Sequence, residues 1–240
     1  MQVQVLSAVG GEPRRRYLRK EKYKSMKIIA INGSPRKNWN THILLEKCLD
    51  GAKEAGAETE LIHLYDLNFK GCTSCFVCKL KDVTVEKCAM NDELKPVLEK
   101  IRACDALVLG SPVYFGDVTG EMRSFLERLL FPYSSYELKP SSFGKTINTA
   151  FIYTMNAPKF ALPFVNYNLI FKKNRKNITR IFGNSTYQVV TSTYQFDDYN
   201  KYAISVFNGE KRLKRRETVF KKDCRKAFLL GKKLYNIIRL

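Results

Sequence analysis

Lys27-Ile28-Ile29-Ala30-Ile31-Asn32-Gly33-Ser34-Pro35-Arg36 is the stretch that decides the fold. An apolar run without alternation suits a strand buried on both faces, and Gly33-Ser34-Pro35 ends it in a loop. Beyond that loop, Leu44, Leu45, Cys48, Leu49 and Ala52 recur at helical spacing between Asn40 and Ala55, and Gly56 supplies the stop. Strand, loop and helix in this order open a βα unit.

The alternation continues along the chain. Residues 60–64 form a second strand, edge-like because Glu60 and His63 interrupt it. A helix over 92–103 turns Leu94, Val97, Leu98 and Ile101 inward, and 106–110 is a third strand. A helix over 120–130 buries Met122, Phe125, Leu126 and Leu129; strands follow at 146–153 and 187–191. The last helix spans 217–237, and the segment 160–184 is long for a single crossover helix. Such alternation gives a mainly parallel sheet covered by helices on both faces, and right-handed crossovers leave few topologies. The expectation is an α/β, doubly wound, five-stranded parallel sheet over 27–240, preceded by a basic extension at 1–26. Ligands in such sheets sit at the carboxyl ends of the strands, here the loops after the first, third and fourth.

Composition narrows the function classes. The chain has 240 residues, 45% hydrophobic and 12% aromatic, which excludes disorder throughout. No apolar run approaches the ~20 residues that span a bilayer. The apolar stretch Val3–Val9 precedes the cluster Arg14-Arg15-Arg16 instead of following it, unlike a secretory signal, so the expected setting is cytoplasmic. The formal net charge is +19, unevenly placed: +5 over 1–26, +1 over 27–160 and +13 over 161–240. Two basic ends around a neutral block point to an anionic partner (nucleic acid, an acidic protein or a membrane surface) or to a solvated basic surface. Seven cysteines without an export signal argue against a disulfide framework, and Cys48, Cys104 and Cys224 fall at apolar helical positions.

Two loops carry the chemistry. Gly33-Ser34-Pro35-Arg36-Lys37-Asn38-Trp39-Asn40-Thr41-His42 leaves a buried strand and enters a helix N-terminus, where N–H groups and the helix dipole favour an anion. It lacks the Gly-Lys-Ser/Thr ending of a Walker loop and the G-x-G-x-x-G fingerprint, so a phosphate monoester held by hydrogen bonds fits better; the alternative is an ordinary turn capped by Asn40 or Thr41. Gly110-Ser111-Pro112-Val113-Tyr114-Phe115-Gly116 presents two aromatics on a constrained backbone, suited to a planar ligand or to covering the core. No nucleophile or general base stands out. His42 lines the phosphate end or belongs to the first helical turn, and His63 is structural.

These two loops in this order, with Glu121-Met122-Arg123-Ser124-Phe125-Leu126-Glu127-Arg128 after them, resemble the flavodoxin-like NADPH-dependent FMN reductase family over about residues 26–155. The family usually has Lys and Asp where this chain has Arg123 and Glu127. The resemblance implies FMN at the strand ends. Ser34, Arg36, Asn40 and Thr41 would hold its phosphate. Pro112, Val113, Tyr114, Phe115 and Gly116 would contact the ring, and Thr154, Met155 and Asn156 would complete the site. NAD(P)H or a ferredoxin-type protein would supply electrons, with a small-molecule redox substrate as acceptor. The segment 160–184 would serve a homodimer interface or cover the flavin.

Cys72, Cys75 and Cys78 at two-residue spacing, with Cys88 after nine more residues, suit a four-cysteine metal site or an iron-sulfur cluster. The segment resembles the cysteine motif of the iron-sulfur flavoproteins, which carry a [4Fe-4S] cluster near FMN, although the last gap is longer here. Zinc or redox-active thiols are the alternatives. A zinc-dependent nucleic-acid protein is a poorer fit, because residues 71–100 hold five basic and five acidic side chains. A non-catalytic flavodoxin-type carrier is the other rival, and the long C-terminal segment argues for more than that.

Overall fold

The computed structural model of the protein describes residues 25–81, 87–137 and 141–238. The basic extension read at 1–26 lies outside these residues except for Ser25 and Met26. Five strands run parallel: β1 (Lys27–Asn32), β2 (Glu58–His63), β3 (Ala106–Tyr114), β5 (Asn148–Thr154) and β6 (Ser185–Val190). Their spatial order is β2-β1-β3-β5-β6. The order reverses beside β1, so the crevice between the loops after β1 and β3 is the expected ligand position. The five-stranded expectation is extended by one short strand, β4 (Asp117–Val118), antiparallel to β3. It exists because β3 continues past its apolar run, pairing Ser111 with Tyr153 and Pro112 with Thr154.

Helices cover both faces. On one side α1 (Asn40–Glu54) and α6 (Val219–Ile238) pack with Ile28, Ala30, Val108 and Ile152. On the other, α2 (Leu94–Ala103), α3 (Gly120–Leu130) and α4 (Tyr167–Phe182) pack with Ile29, Ile31, Leu107 and Phe151. Strand residues thus alternate between two cores, which is why the strands are apolar throughout. Helices α1 and α6 cross with Gly51 against the Phe228 carbonyl and Gly231 against the Cys48 carbonyl.

Two helical regions carry more elements than a single helix each. The segment 160–184 is, as its length implied, more than one crossover helix: a 3-10 turn ends at Ala161 and the α-helix begins at Tyr167, after Asn166 adopts the left-handed region at φ 54°. The last helix, expected over 217–237, is α6, and a further helix precedes it across Thr218: α5 (Gly209–Glu217), capped by Asn208 Oδ1 accepting from Lys211 N at 2.8 Å. Val219, the first residue of α6, is 44% exposed. No helix among the described residues is long and apolar enough to cross a membrane.

The buried cysteines give a direct check. Burial pushes the Cys48 and Cys104 thiols up to about 12, whereas Cys72 and Cys75 are exposed. Cys224 is only half-buried, less than its helical position suggested. Iodoacetamide at pH 8 should alkylate Cys72 and Cys75 of the metal-free native protein and spare Cys48 and Cys104. Peptide mass mapping reads the result, and early modification of Cys48 would contradict the packing of α1 on α6.

Candidate functional site

The loop after β1 is shaped by its own polar groups. Asn32 Oδ1 accepts from Ser34 N at 3.0 Å, and Ser34 Oγ accepts from Arg36 N at 3.2 Å. On its other side Asn32 Nδ2 meets His63 Nδ1 at 3.0 Å. Burial, then the neighbouring His42, holds His63 below the ordinary imidazole value, so it is neutral at pH 7 and accepts this bond. His42 stacks on it at 5.2 Å and reaches Glu46 through Nε2 at 3.1 Å. Both histidines support the loop from behind.

The N-cap residue of α1 is Trp39, whose side chain makes no capping bond. Neither Asn40 nor Thr41 caps the helix, so its first-turn N–H groups have no side-chain acceptor, the arrangement that receives an anion. The loop after β3 closes on this one. Thr119 Oγ1 donates to Gly33 O at 2.6 Å and accepts from Met122 N at 3.3 Å, capping α3. A Cβ on Gly33 would stand 2.8 Å from Met122, so only glycine permits this approach.

An open cleft of about 690 Å³ lies between these loops. Ser34, Arg36, Asn40 and Thr41 line it, together with Pro112, Val113 and Tyr114. Thr154, Met155 and Asn156 from the end of β5 join them, so the three loops meet in one place. Phe115 does not join: it sits with Gly116 at the tip of the β3–β4 hairpin, at φ 48° and 87°, and is fully exposed. Gly116 lies against Tyr167, where a Cβ would be 3.2 Å from the ring. The sequence pattern did not single out Trp39, Tyr167, Thr193 and Gln195, which also line the cleft. Thr193 and Gln195 follow β6, and the carboxyl-end rule applied to that strand would have found them.

Side-chain commitments refine the expected roles. The Asn40 amide is spent on the protein: Nδ2 donates to Tyr194 O at 2.7 Å and Oδ1 accepts from Arg216 Nη1 at 2.8 Å. Arg36 Nη1 donates to Gln195 O at 2.5 Å while its guanidinium lies 3.9 Å over the Trp39 ring. Thr41 Oγ1 and Thr154 Oγ1 bond to each other at 2.8 Å. Among the described residues Trp39 Nε1 and Asn156 Oδ1 are buried without partners, and no carboxylate lines the cleft. A buried unpaired donor and acceptor, an uncapped helix and the absence of acid match a phosphorylated ligand with a polar planar part.

The cysteine loop forms a separate centre. Cys72, Cys75, Cys78 and Cys88 all line one small cleft, beside Arg128 and Phe131. Burial raises the Cys78 thiol, with smaller contributions from the other three. Among the described residues no three His, Cys, Asp or Glu side chains are arranged to hold a metal ion. Residues 82–86, within the loop, lie outside the described ones. Arg128 anchors the loop: its side chain is fully buried, forms a two-pronged pair with Asp92, and donates to Lys70 O at 3.1 Å and Cys88 Sγ at 3.3 Å.

The strand order and a cleft at the strand ends define a flavodoxin-like protein of the doubly wound α/β class. The model of the family described as NADPH-dependent FMN reductase matches residues 26–150, more than half the chain, and the chain belongs to that family. An iron-sulfur flavoprotein of Archaeoglobus fulgidus is 44% identical over 103 residues, 43% of this chain and 48% of that one. Another from Methanocaldococcus jannaschii is 39% identical over 103 residues, 43% of this chain and 51% of that one. The chain thus spans about half the length of these curated relatives. Among solved structures, an NAD(P)H:quinone oxidoreductase from Methanothermobacter marburgensis aligns over 88% of this chain and 98% of its own, with TM-score 0.65 and 14% identity. An azoreductase from Bacillus anthracis aligns over 87% and 99%, with TM-score 0.58 and 11% identity. These likenesses bear on the fold.

Proposed function

We propose that the protein is an FMN-dependent oxidoreductase that passes electrons from a nicotinamide or a ferredoxin-type donor to an acceptor. The observation that carries this is the acid-free cleft in which three strand-end loops meet beside an uncapped helix. Bound FMN supplies the electron-accepting and electron-donating chemistry. The chain binds and orients it. The first N–H groups of α1 and the Ser34 hydroxyl receive the phosphate, Thr41 and Thr154 offer hydroxyls, and Trp39 Nε1 and Asn156 Oδ1 gain the partners they lack within the chain. Pro112, Val113 and Tyr114 would contact the FMN ring. Ser34→Asp, which places a carboxylate against the phosphate, should weaken FMN binding by about a hundredfold. Fluorescence titration measures it; an unchanged affinity would remove the phosphate from this loop.

The small cleft shared by four thiols favours a second element: a [4Fe-4S] cluster held by Cys72, Cys75, Cys78 and Cys88 that relays electrons to the flavin. Four cysteines drawn to one small cleft are the donor set such a cluster takes, and relatives named iron-sulfur flavoproteins support it. After anaerobic purification, iron and sulfide at about four each per chain, lost in Cys75→Ser, is the expected result. Zinc, or iron-free protein, overturns the cluster and leaves the FMN reading intact. Seven free cysteines and this chemistry fit a cytoplasmic setting.

Two surfaces fit partners. Helix α4 exposes Lys172, Lys173, Arg175 and Lys176 with no acidic residue, which suits an acidic electron-transfer protein. Phe115, Phe160 and Phe164 stand exposed on segments whose neighbours Tyr114, Ala157 and Tyr167 line the cleft, which suits a homodimer closing over it. Sedimentation at micromolar concentration reads the second, and a monomer counts against it.

A further inference from the structure

Helix α5 lies outside residues 26–150 and has no apolar stripe, yet it sends two arginines inward. Arg212 and Arg216 are four residues apart and so share one helix face. Arg212 is 9% exposed and donates through Nη2 to Asn156 O at 3.0 Å. Arg216 is half-buried between Phe220, at 4.3 Å from its ring centre, and Trp39, at 5.9 Å, and donates to Asn40 Oδ1. Each therefore holds a residue that lines the cleft.

Among the described residues neither arginine has a carboxylate partner, whereas their neighbour Arg215 pairs with Asp223 at 2.8 Å. Burial lowers the affinity of both guanidiniums for their protons. A cation drawn out of water without a counter-charge is costly, and an anion bound nearby offsets that cost. The nearest anion position is the N-terminus of α1, beginning at Asn40, whose amide Arg216 grips.

We propose that Arg216, carried on α5 and anchored by Arg212, makes the cleft select a flavin bearing a 5′-phosphate over the same flavin without one. Arg216 is a positioning and charge-supplying residue: it fixes Asn40 and so the first turn of α1, and it adds positive potential where the phosphate lies. This inference rests on the flavin reading of the cleft. It assigns part of the cofactor site to the basic C-terminal third and gives two of its charges a function beyond solubility.

The test compares FMN and riboflavin binding to the flavin-stripped full chain by quenching of flavin fluorescence. Wild type should prefer FMN. Arg216→Met should weaken FMN about tenfold and riboflavin less than about twofold, and Arg216→Lys should recover most of the loss. Equal weakening of both flavins would make Arg216 a purely structural residue and overturn the proposal, as would unchanged FMN affinity. Should Arg216→Met fail to fold, wild type decides: its FMN preference should shrink as salt rises from about 0.05 to 0.5 M, and a salt-independent preference overturns the proposal. Wild type that binds neither flavin removes the flavin reading, and this proposal with it; wild type that binds both equally removes the proposal alone.

Discussion

Gly51→Ala should lower the melting temperature by roughly 6 °C, the opposite of what the substitution does in an ordinary helix. In an exposed helix interior, alanine in place of glycine gains about 1 kcal/mol. Here a Cβ on Gly51 would stand 1.9 Å from the Phe228 carbonyl oxygen, and one on Gly231 1.8 Å from the Cys48 oxygen. Neither obstacle is a side chain that can rotate away. The helices must part by roughly 1.5 Å, forfeiting contacts along their whole crossing. Overpacking of this kind costs about 3 kcal/mol, which outweighs the propensity gain. At about 2–4 °C per kcal/mol for a domain of this size, the shift follows. Gly120→Ala is the internal control, because nothing lies within 4 Å of its added Cβ. It should leave the melting temperature level or raise it. Equal responses at Gly51 and Gly120 in thermal unfolding would refute the close crossing.

Asp92→Ala should cost about 3–5 kcal/mol, more than Arg128→Met. The Arg128 side chain is fully buried, whereas that of Asp92 is 20% exposed. Removing the carboxylate strands a buried cation; removing the cation leaves a carboxylate that water still reaches, and methionine fills the space. Burial alone would raise the Asp92 carboxyl, but the bonds from Arg128 outweigh it and hold it below the usual value. The sign of the pH dependence follows. A depressed carboxyl contributes stability that is fully present above its unfolded value, near 3.9, and is lost as pH falls through the folded value. Denaturant unfolding should therefore show the gap between wild type and Asp92→Ala wide at pH 7 and narrowing below about pH 4. A gap independent of pH would mean that Asp92 acts through packing alone. Because Arg128 also holds Lys70 O and Cys88 Sγ, Asp92→Ala should loosen the cysteine loop as well.

Much of the architecture was legible because it is written locally. Ile28–Ile31 and Ala106–Leu109 are uninterrupted apolar runs, and α1 to α3 carry apolar faces at helical spacing, so type and order followed from periodicity. The cleft was legible one step further on, since alternation implies a parallel sheet and a parallel sheet puts its loops in one place. Ser34, Thr41, Pro112, Tyr114 and Thr154 duly converge. What failed had no periodic signal. Helix α5 reads Gly-Glu-Lys-Arg-Leu-Lys-Arg-Arg-Glu, and its one buried residue is Arg212.

The sequence by itself determined the doubly wound class, the loops that converge at the strand ends and the short-spaced cysteines at 72, 75 and 78, because each depends on residue types repeating over a few positions. Only the tertiary structure decided which polar atoms remain free. Asn40, assigned to a ligand, is consumed by Tyr194 and Arg216; Phe115, assigned to a ring, stands in water; Trp39 Nε1 is left waiting. The physical reason is that a hydrogen bond or a desolvated charge belongs to two groups at once, and here the partners lie up to 176 residues apart.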